Sequence, residues 1–196
     1  MNTPVVAVVL AAGLSRRAAP HHKLLLPAPD GSGRSVVRAT VEAFCGASAD
    51  LHDVVVVTGH ERPRIEAALA GLPIRFVFAP DFAAGMGRSL AAGIRSVDTH
   101  VAGFAVAPGD LPWLRAGLIT EAVARFKAES GTRHVLPLAD GRRGHPVILG
   151  AWLRPALENL DGDVGARLLL AEPAQQARIA YWETGDEAVL RDVDRL

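Results

Sequence analysis

Cysteine is nearly absent from this 196-residue chain, with Cys45 its one representative. A single thiol closes no internal disulfide and builds no thiolate metal cluster, which suits a reducing, cytoplasmic setting. Cys45 itself reads as a small buried apolar side chain on a helix. Net charge is absent too, because 21 Lys and Arg are balanced by 21 Asp and Glu. General nucleic-acid binders and polybasic membrane-surface proteins need a basic excess, so neither partner is expected. No apolar run reaches the roughly 18 residues of a membrane span. The opening MNTPVVAVVLAAG carries its charge, Arg16 and Arg17, after the apolar stretch, whereas a signal peptide carries it before. Repeats, low-complexity tracts and long linkers are also missing. What remains is ordinary globular composition, 49% hydrophobic and 21% charged. A chain of this length buries about 70% of its unfolded surface, enough for a core without covalent staples. One domain, residues 1–196, is expected.

Short valine-rich runs alternate with segments of helical spacing. Val5–Leu10, Asp53–Thr58, Ile74–Phe78 and Ala102–Ala107 are apolar on both faces, as strands inside a parallel sheet must be. Between them, apolar residues recur at three- and four-residue intervals: Val36 to Phe44, Ile65 to Leu69, Leu90 to Val97, and Leu118 to Phe126. The alternation predicts crossover units and a three-layer, Rossmann-like α/β fold around a mostly parallel sheet. Asp30–Ser35 reads as a turn. After about Pro137 the rhythm changes: a polar turn at Asp140–Gly144, a short apolar stretch Pro146–Leu149, a Trp-containing helical segment, a helix around Val164–Leu170 and a strand near Ala177–Trp182. This divides the domain into residues 1–136 and a smaller lid or substrate half, 137–196, on the same sheet.

Ligands of open α/β sheets bind beyond the carboxyl ends of the strands, and four loops there carry unusual residues. The first runs from Leu10 through Ala11, Ala12, Gly13 and Ser15 to Arg17 and Lys23. Small residues let the backbone approach a ligand, their N–H groups suit an anion, and two cations flank the turn, which is chemistry for a triphosphate. The spacing is neither the GxxxxGK(S/T) phosphate loop nor the GxGxxG fingerprint, and a glycine turn with solvated arginines fits equally well. The second loop, Gly109-Asp110-Leu111-Pro112, ends an apolar strand on a lone acid, suited to Mg²⁺ or to capping a turn or helix. The third, Gly85-Met86-Gly87-Arg88-Ser89, offers free N–H groups at a helix start, or an ordinary N-cap. The fourth joins Gly144-His145-Pro146 to Asp161-Gly162-Asp163-Val164-Gly165-Ala166-Arg167. There Asp163 is a candidate second metal ligand or an N-cap, Arg167 a candidate anion clamp, and His145 a substrate-orienting or a turn residue. Trp113, Trp152 and Trp182 read as core or lid packing rather than acceptor stacking.

Taken in order, LAAG-x-S-x-R…K-L-L-L-P, Val54–His60 (VVVVTGH), GMGRSL, GDLP, Gly141–Val147 (GRRGHPV) and GDVGAR resemble the molybdenum cofactor nucleotidyltransferases. The LAAG loop alone is shared across a wider superfamily. GRRGHPV with GDVGAR narrows the likeness to the cofactor-directed branch, and Ala12 favours its cytidylyl-transferring members over the guanylyl-transferring ones. The resemblance runs from Val6 to Asp194. It departs at Ala18-Ala19, where the family has Met-Gly, at Gly87-Arg88-Ser89, where it has serines, and at the chain's end.

The resemblance implies a GT-A-like fold and Mg²⁺-dependent transfer of CMP from CTP to the terminal phosphate of molybdenum-loaded molybdopterin, releasing pyrophosphate. It implies Arg17 and Lys23 on the β- and γ-phosphates and Asp110 on Mg²⁺, with Asp163 as second ligand. Nucleotide would lie against Leu10, Ala11, Ala12, Gly13, Ser15, Gly59, Gly85, Ser89 and Gly109, and acceptor near Arg88, His145 and Arg167. A recipient molybdoenzyme or its chaperone is the implied partner. Three other readings stay open: a transferase using GTP or acting on a sugar or alcohol phosphate, a non-catalytic carrier of the cofactor, and an oxidoreductase.

Overall fold

The computed structural model describes residues 4–15, 22–47, 49–98 and 100–193. Arg17, Ala18, Ala19 and Asp194, singled out above, lie outside the described residues.

Val5–Ala11 forms β1, Leu51–Thr58 forms β2, Arg75–Phe78 forms β3 and Gly103–Pro108 forms β4. β1 is hydrogen-bonded in parallel on both edges, to β2 with Leu10 opposite Val57, and to β4 with Leu10 opposite Pro108. β2 pairs in parallel with β3. Beyond β4 the sheet continues through β7 (Val147–Gly150), β5 (His134–Ala139) and β6 (Arg142–Arg143), while β8 (Ile179–Glu183) pairs with β5. β7 is antiparallel to both β4 and β5, β6 is antiparallel to β5, and β8 is parallel to it. The sheet is therefore mixed with a parallel majority in its first half. The division at 136/137 falls inside β5, so the two halves share one sheet.

Successive strand residues face opposite layers, and two cores result. Val5, Ala7, Val9 and Ala11 of β1 pack with Val54, Val56, Ala105 and Ala107 against α1 (Val36–Gly46), α2 (Arg62–Ala68) and α4 (Ala116–Ala128). Val6, Val8, Val55, Val57, Phe104 and Val106 pack on the other face against α3 (Met86–Arg95) and α5 (Arg154–Leu157). This explains why the strands read as unbroken apolar runs. α1 starts where Ser35 accepts a hydrogen bond from the Arg38 N–H. α3 ends where the Arg154 guanidinium donates to the carbonyls of Ile94, Val97 and Asp98, which no residue within the helix can reach. Gly93 lets α3 sit close on the sheet, since a Cβ there would lie 2.7 Å from Val57 and Val8.

Three sequence expectations change. β5 was legible only as the end of the regular pattern, because Pro137 interrupts its apolar run. The last helix region is two short helices, α6 (Arg167–Ala171) and α7 (Pro173–Gln176); positive φ at Gly162 and Gly165 keeps 162–165 in a turn. Cys45 is half-buried on α1, its thiol pushed up chiefly by burial. Trp182 is buried, and Trp113 and Trp152 pack against the cores, as expected. Among the described residues no helix is long and apolar enough to cross a membrane.

His134 on β5 is fully buried. Its Nδ1 accepts from the Gly150 N–H at 3.1 Å and its Nε2 lies 3.2 Å from Gln175 Oε1. Burial holds its pKa below the ordinary value of 6.5, with Arg178 acting in the same direction and Gln175 opposing. Protonation at Nδ1 would break the bond to Gly150. The unfolded chain therefore takes up the proton first as pH falls below 6.5, so stability drops with acidification over that window. Denaturation at pH 7.5 and 5.5 should show this drop, and His134→Gln should make it smaller.

Candidate active site

Because β1 and β4 are neighbours in parallel register, the chain leaves both at the same edge of the sheet. The Gly109 N–H donates to the Leu10 carbonyl at 2.9 Å and ties the two ends together. Three further contacts fix the turn that follows. The Leu111 N–H donates to Thr40 Oγ1 at 3.0 Å, Thr40 donates to the Val36 carbonyl, and the Val193 N–H donates to the Asp110 carbonyl. Asp110 is thus held from α1 and from the end of the described chain.

A cavity of about 370 Å³ opens beyond these strand ends. Leu10, Ala12, Gly13, Leu14 and Ser15 line it from β1 and its loop, Lys23 and Leu24 from the next turn, and Pro108, Gly109 and Asp110 from the end of β4. Phe82, Ala83, Gly85, Met86 and Ser89 line it from the turn before α3 and from its first residues, and Asp163 from the 137–196 half.

Lys23 Nζ lies 2.5 Å from Asp110 Oδ2, with the two side chains 24% and 9% exposed. Asp110 Oδ1 is buried without a hydrogen-bond partner. A carboxylate desolvated on one oxygen and salt-bridged on the other is costly unless something else engages it. A hard divalent cation is such a group: it takes carboxylate oxygens and keeps the rest of its shell for water and phosphates. Asp163 supplies a second carboxylate to the same cleft. No cluster of three or more His, Cys, Asp and Glu stands ready to hold a metal among the described residues. The residues present fit an ion completed by a substrate's phosphates.

Two histidines brace the first loop. His22 Nε2 lies 3.1 Å from the Gly13 carbonyl, and the His60 N–H donates to the Ala12 carbonyl. The rings of His22 and His60 stack at 5.6 Å. Burial holds His22 below its ordinary pKa, so it braces as a neutral ring; the Gly13 carbonyl opposes this and His60 adds to it. Sequence reasoning missed this brace and the apolar lining by Leu14, Leu24, Phe82 and Met86. The partner of His22 lies nine positions away, and nothing in its own neighbourhood marks it.

The clasp between the two halves is the fourth element. Arg88 Nε and Nη2 donate to the two Asp161 oxygens at 2.8 and 3.0 Å, holding that carboxyl below its ordinary range. The Gly87 N–H donates to the Gly162 carbonyl at 2.8 Å. Gly85 and Gly87 are glycine for space: a Cβ at 85 would lie 2.4 Å from the Gly162 backbone, and one at 87 would lie 2.7 Å from the Asp161 carbonyl oxygen.

Of the expected site residues, Leu10, Ala12, Gly13, Ser15, Lys23, Gly85, Ser89, Gly109, Asp110 and Asp163 are brought together. Five are not among the lining residues. Ala11 points its side chain into the core under α1, one residue out of phase with the cleft. Gly59 sits behind Ala12 and Phe82. Arg88 spends its guanidinium on Asp161. Arg167 heads α6, exposed. His145 stands behind Asp110: its Nδ1 is buried and unpartnered, and burial lowers its pKa against the Val106 carbonyl and the Asp110 charge. Neither Asp163 nor Asp110 is a helix N-cap, since Ala166 caps α6 and Arg115 caps α4, whereas Gly85 is the N-cap of α3, as the alternative reading of that loop had it.

Residues 7–179 match the MobA-like NTP transferase domain. The chain belongs to the MobA-like NTP transferase family. It is 30% identical to nicotine blue oxidoreductase of Paenarthrobacter nicotinovorans, over 97% of this chain and 92% of that one. Among solved structures it resembles a nucleotidyl transferase from Methanothermobacter, with TM-score 0.79 and 26% identity over 98% of this chain and 92% of that one. It also resembles the Mycobacterium sp. strain JC1 homologue of a Mycobacterium tuberculosis protein, with TM-score 0.81 and 25% identity over 97% and 90%.

In this MobA-like chain the clasp yields a prediction of unusual sign. Glycine to alanine inside a helix ordinarily stabilises by roughly 0.5–1 kcal/mol. At Gly87 the added methyl meets backbone, so Gly87→Ala should instead destabilise by about 1–3 kcal/mol, measured by chemical denaturation.

Proposed function

We propose that the chain transfers CMP from CTP to the terminal phosphate of molybdenum-loaded molybdopterin, with a divalent cation, Mg²⁺, in the cleft. One observation carries the reading: a cation, Lys23, and a buried carboxylate with an unpartnered oxygen, Asp110, meet 2.5 Å apart beside a small-residue loop at the ends of β1 and β4. That is an arrangement for phosphates and a metal. The choice of CTP and of molybdopterin rests on the resemblance carried by Ala12, GRRGHPV and GDVGAR. Delivery of the product to a molybdoenzyme or its chaperone belongs to the same proposal.

In the reaction, an oxygen of the acceptor's terminal phosphate forms a bond to the α-phosphorus of CTP. The bond from that phosphorus to the β-bridging oxygen breaks, and pyrophosphate leaves with the electron pair. The nucleophile is already an anion, so no protein base is needed. The barrier lies in bringing anions together and dispersing charge, which positioning and fixed cations lower. Ala12, Gly13 and Ser15 present a close backbone to the nucleotide, and the His22 brace keeps that backbone in place. Lys23 neutralises the β- and γ-phosphates and the departing pyrophosphate, and Arg17 is assigned the same role. Asp110 and Asp163 would hold the cation, which when bound supplies Lewis-acid charge to the phosphates. The clasp of Arg88 on Asp161 keeps Asp163 at the cleft while acceptor approaches from the 137–196 half. His145 and Arg167 are assigned to the acceptor side at one remove from the lining.

The oxidoreductase name of the Paenarthrobacter relative defines a second activity to assay. Pyrophosphate release from CTP and from GTP, with Mg²⁺, with and without molybdenum-loaded molybdopterin, tests the proposal. Release with CTP that depends on the acceptor is expected. Preference for GTP would move the chain to guanylyl transfer, and no release despite cofactor binding would favour a carrier. Asp110→Ala should cut turnover at least ~10²-fold, as loss of one key electrostatic contact does, with the fold retained by circular dichroism. Lys23→Ala should raise the KM for CTP in Mg²⁺ and slow pyrophosphate release; unchanged kinetics would reduce the lysine to a structural residue.

A further inference from the structure

We infer that Lys23 holds the cation's place on Asp110 until a nucleotide arrives, so that metal and nucleotide enter the cleft as mutually dependent ligands. The inference rests on the reading that the cleft binds a nucleoside triphosphate with a divalent cation.

The geometry carries it. The ammonium sits 2.5 Å from Asp110 Oδ2, and that carboxylate is 9% exposed. A metal approaching Asp110 in the free protein meets a carboxylate already neutralised at contact distance, and must share it with, or displace, a positive charge. A triphosphate approaching in the absence of metal meets a lysine whose charge is engaged by a buried anion. Each ligand alone confronts the ion pair intact. Together they replace it: phosphate takes the lysine, and the cation takes the carboxylate. The buried pair cannot be left half-broken, because an uncompensated charge at this depth is strongly unfavourable.

The consequence is a pair of gains in variants that both lose turnover. By linkage, whatever favours one ligand at the expense of the pair favours it in binding as well. Lys23→Met should bind Mn²⁺ at least about tenfold more tightly than the wild type without nucleotide, within the usual range for coupled sites, followed by loss of the free Mn²⁺ paramagnetic signal. Lys23→Arg keeps the charge and should show no such gain. Reciprocally, Asp110→Asn removes the carboxylate's hold on the lysine and should bind CTP in EDTA more tightly than the wild type by calorimetry. That gain should vanish in the Lys23→Met, Asp110→Asn double variant; persistence there would mean simple relief of repulsion between carboxylate and phosphate and would overturn the coupling. Should Lys23→Met fail to fold, the Asp110→Asn measurement in EDTA decides alone, and no gain there overturns the inference. Equal Mn²⁺ affinity in wild type and Lys23→Met, with wild-type binding of CTP in Mn²⁺ intact, overturns the coupling and leaves the function standing. A wild type that binds no CTP in Mn²⁺ overturns both.

Discussion

A strand buried on both faces can satisfy its backbone only along its edges, and β1 does so by pairing in parallel with β2 on one side and β4 on the other. Because parallel neighbours run in the same direction, the loops that leave β1 and β4 emerge side by side. The chain connects β1 to β2 on one flank, while β4 lies on the other, so the connecting segments diverge and leave a crevice between them. The hydrogen bond from Gly109 to Leu10 closes the bottom of that crevice. The meeting of Lys23 with Asp110 follows from this pairing, since the two residues belong to segments that only the β1–β4 register brings together.

That crevice concentrates electrostatic tension rather than relieving it. Most ion pairs among the described residues lie in the open, such as Arg62 with Glu66 or Arg125 with Glu121, one helical turn apart, where solvent makes them worth little. Asp110 differs in depth and in its unpartnered oxygen. A stable fold tolerates few such groups, and they gather where a ligand completes them. The surrounding contacts from Thr40 and Val193 are uncharged, so they fix the turn without neutralising the acid. The site is therefore held in its backbone and unsatisfied at one carboxylate oxygen.

The sequence made the first half of the fold legible because valine-rich strands bounded by turns admit few alternatives, and the alternation with helical spacing determines the layers. It made less of the second half legible, where Pro137 breaks the pattern of β5 and the helices are too short to show a period. At the site, Asp110 was readable as a lone acid after an apolar run, and Lys23 as a cation flanking the small-residue turn. Ala11 was read with its neighbours as a small residue that lets the backbone approach a ligand. Strand parity turns its side chain away: Val9 and Ala11 share the face that packs on α1, whereas Leu10 and Ala12 share the cleft. The His22 brace and the clasp were not readable, because each joins residues that share no local pattern.

Arg88 shows how a departure from a resemblance is absorbed by the fold. A guanidinium where the resemblance leads one to expect hydroxyls would, left alone, add an unpaired cation at the start of α3. Here both of its forked donors are taken by Asp161, the residue that opens the very turn holding Asp163. The charge is cancelled within the clasp, and its geometry, planar and two-pronged, aligns the turn more firmly than a hydroxyl would. Gly87 and Gly85 give the turn the room it needs to lie against the start of α3. The positive charge gained in sequence thus becomes a two-pronged link between the half of the chain that holds Asp110 and the half that holds Asp163, and both carboxylates line one cleft.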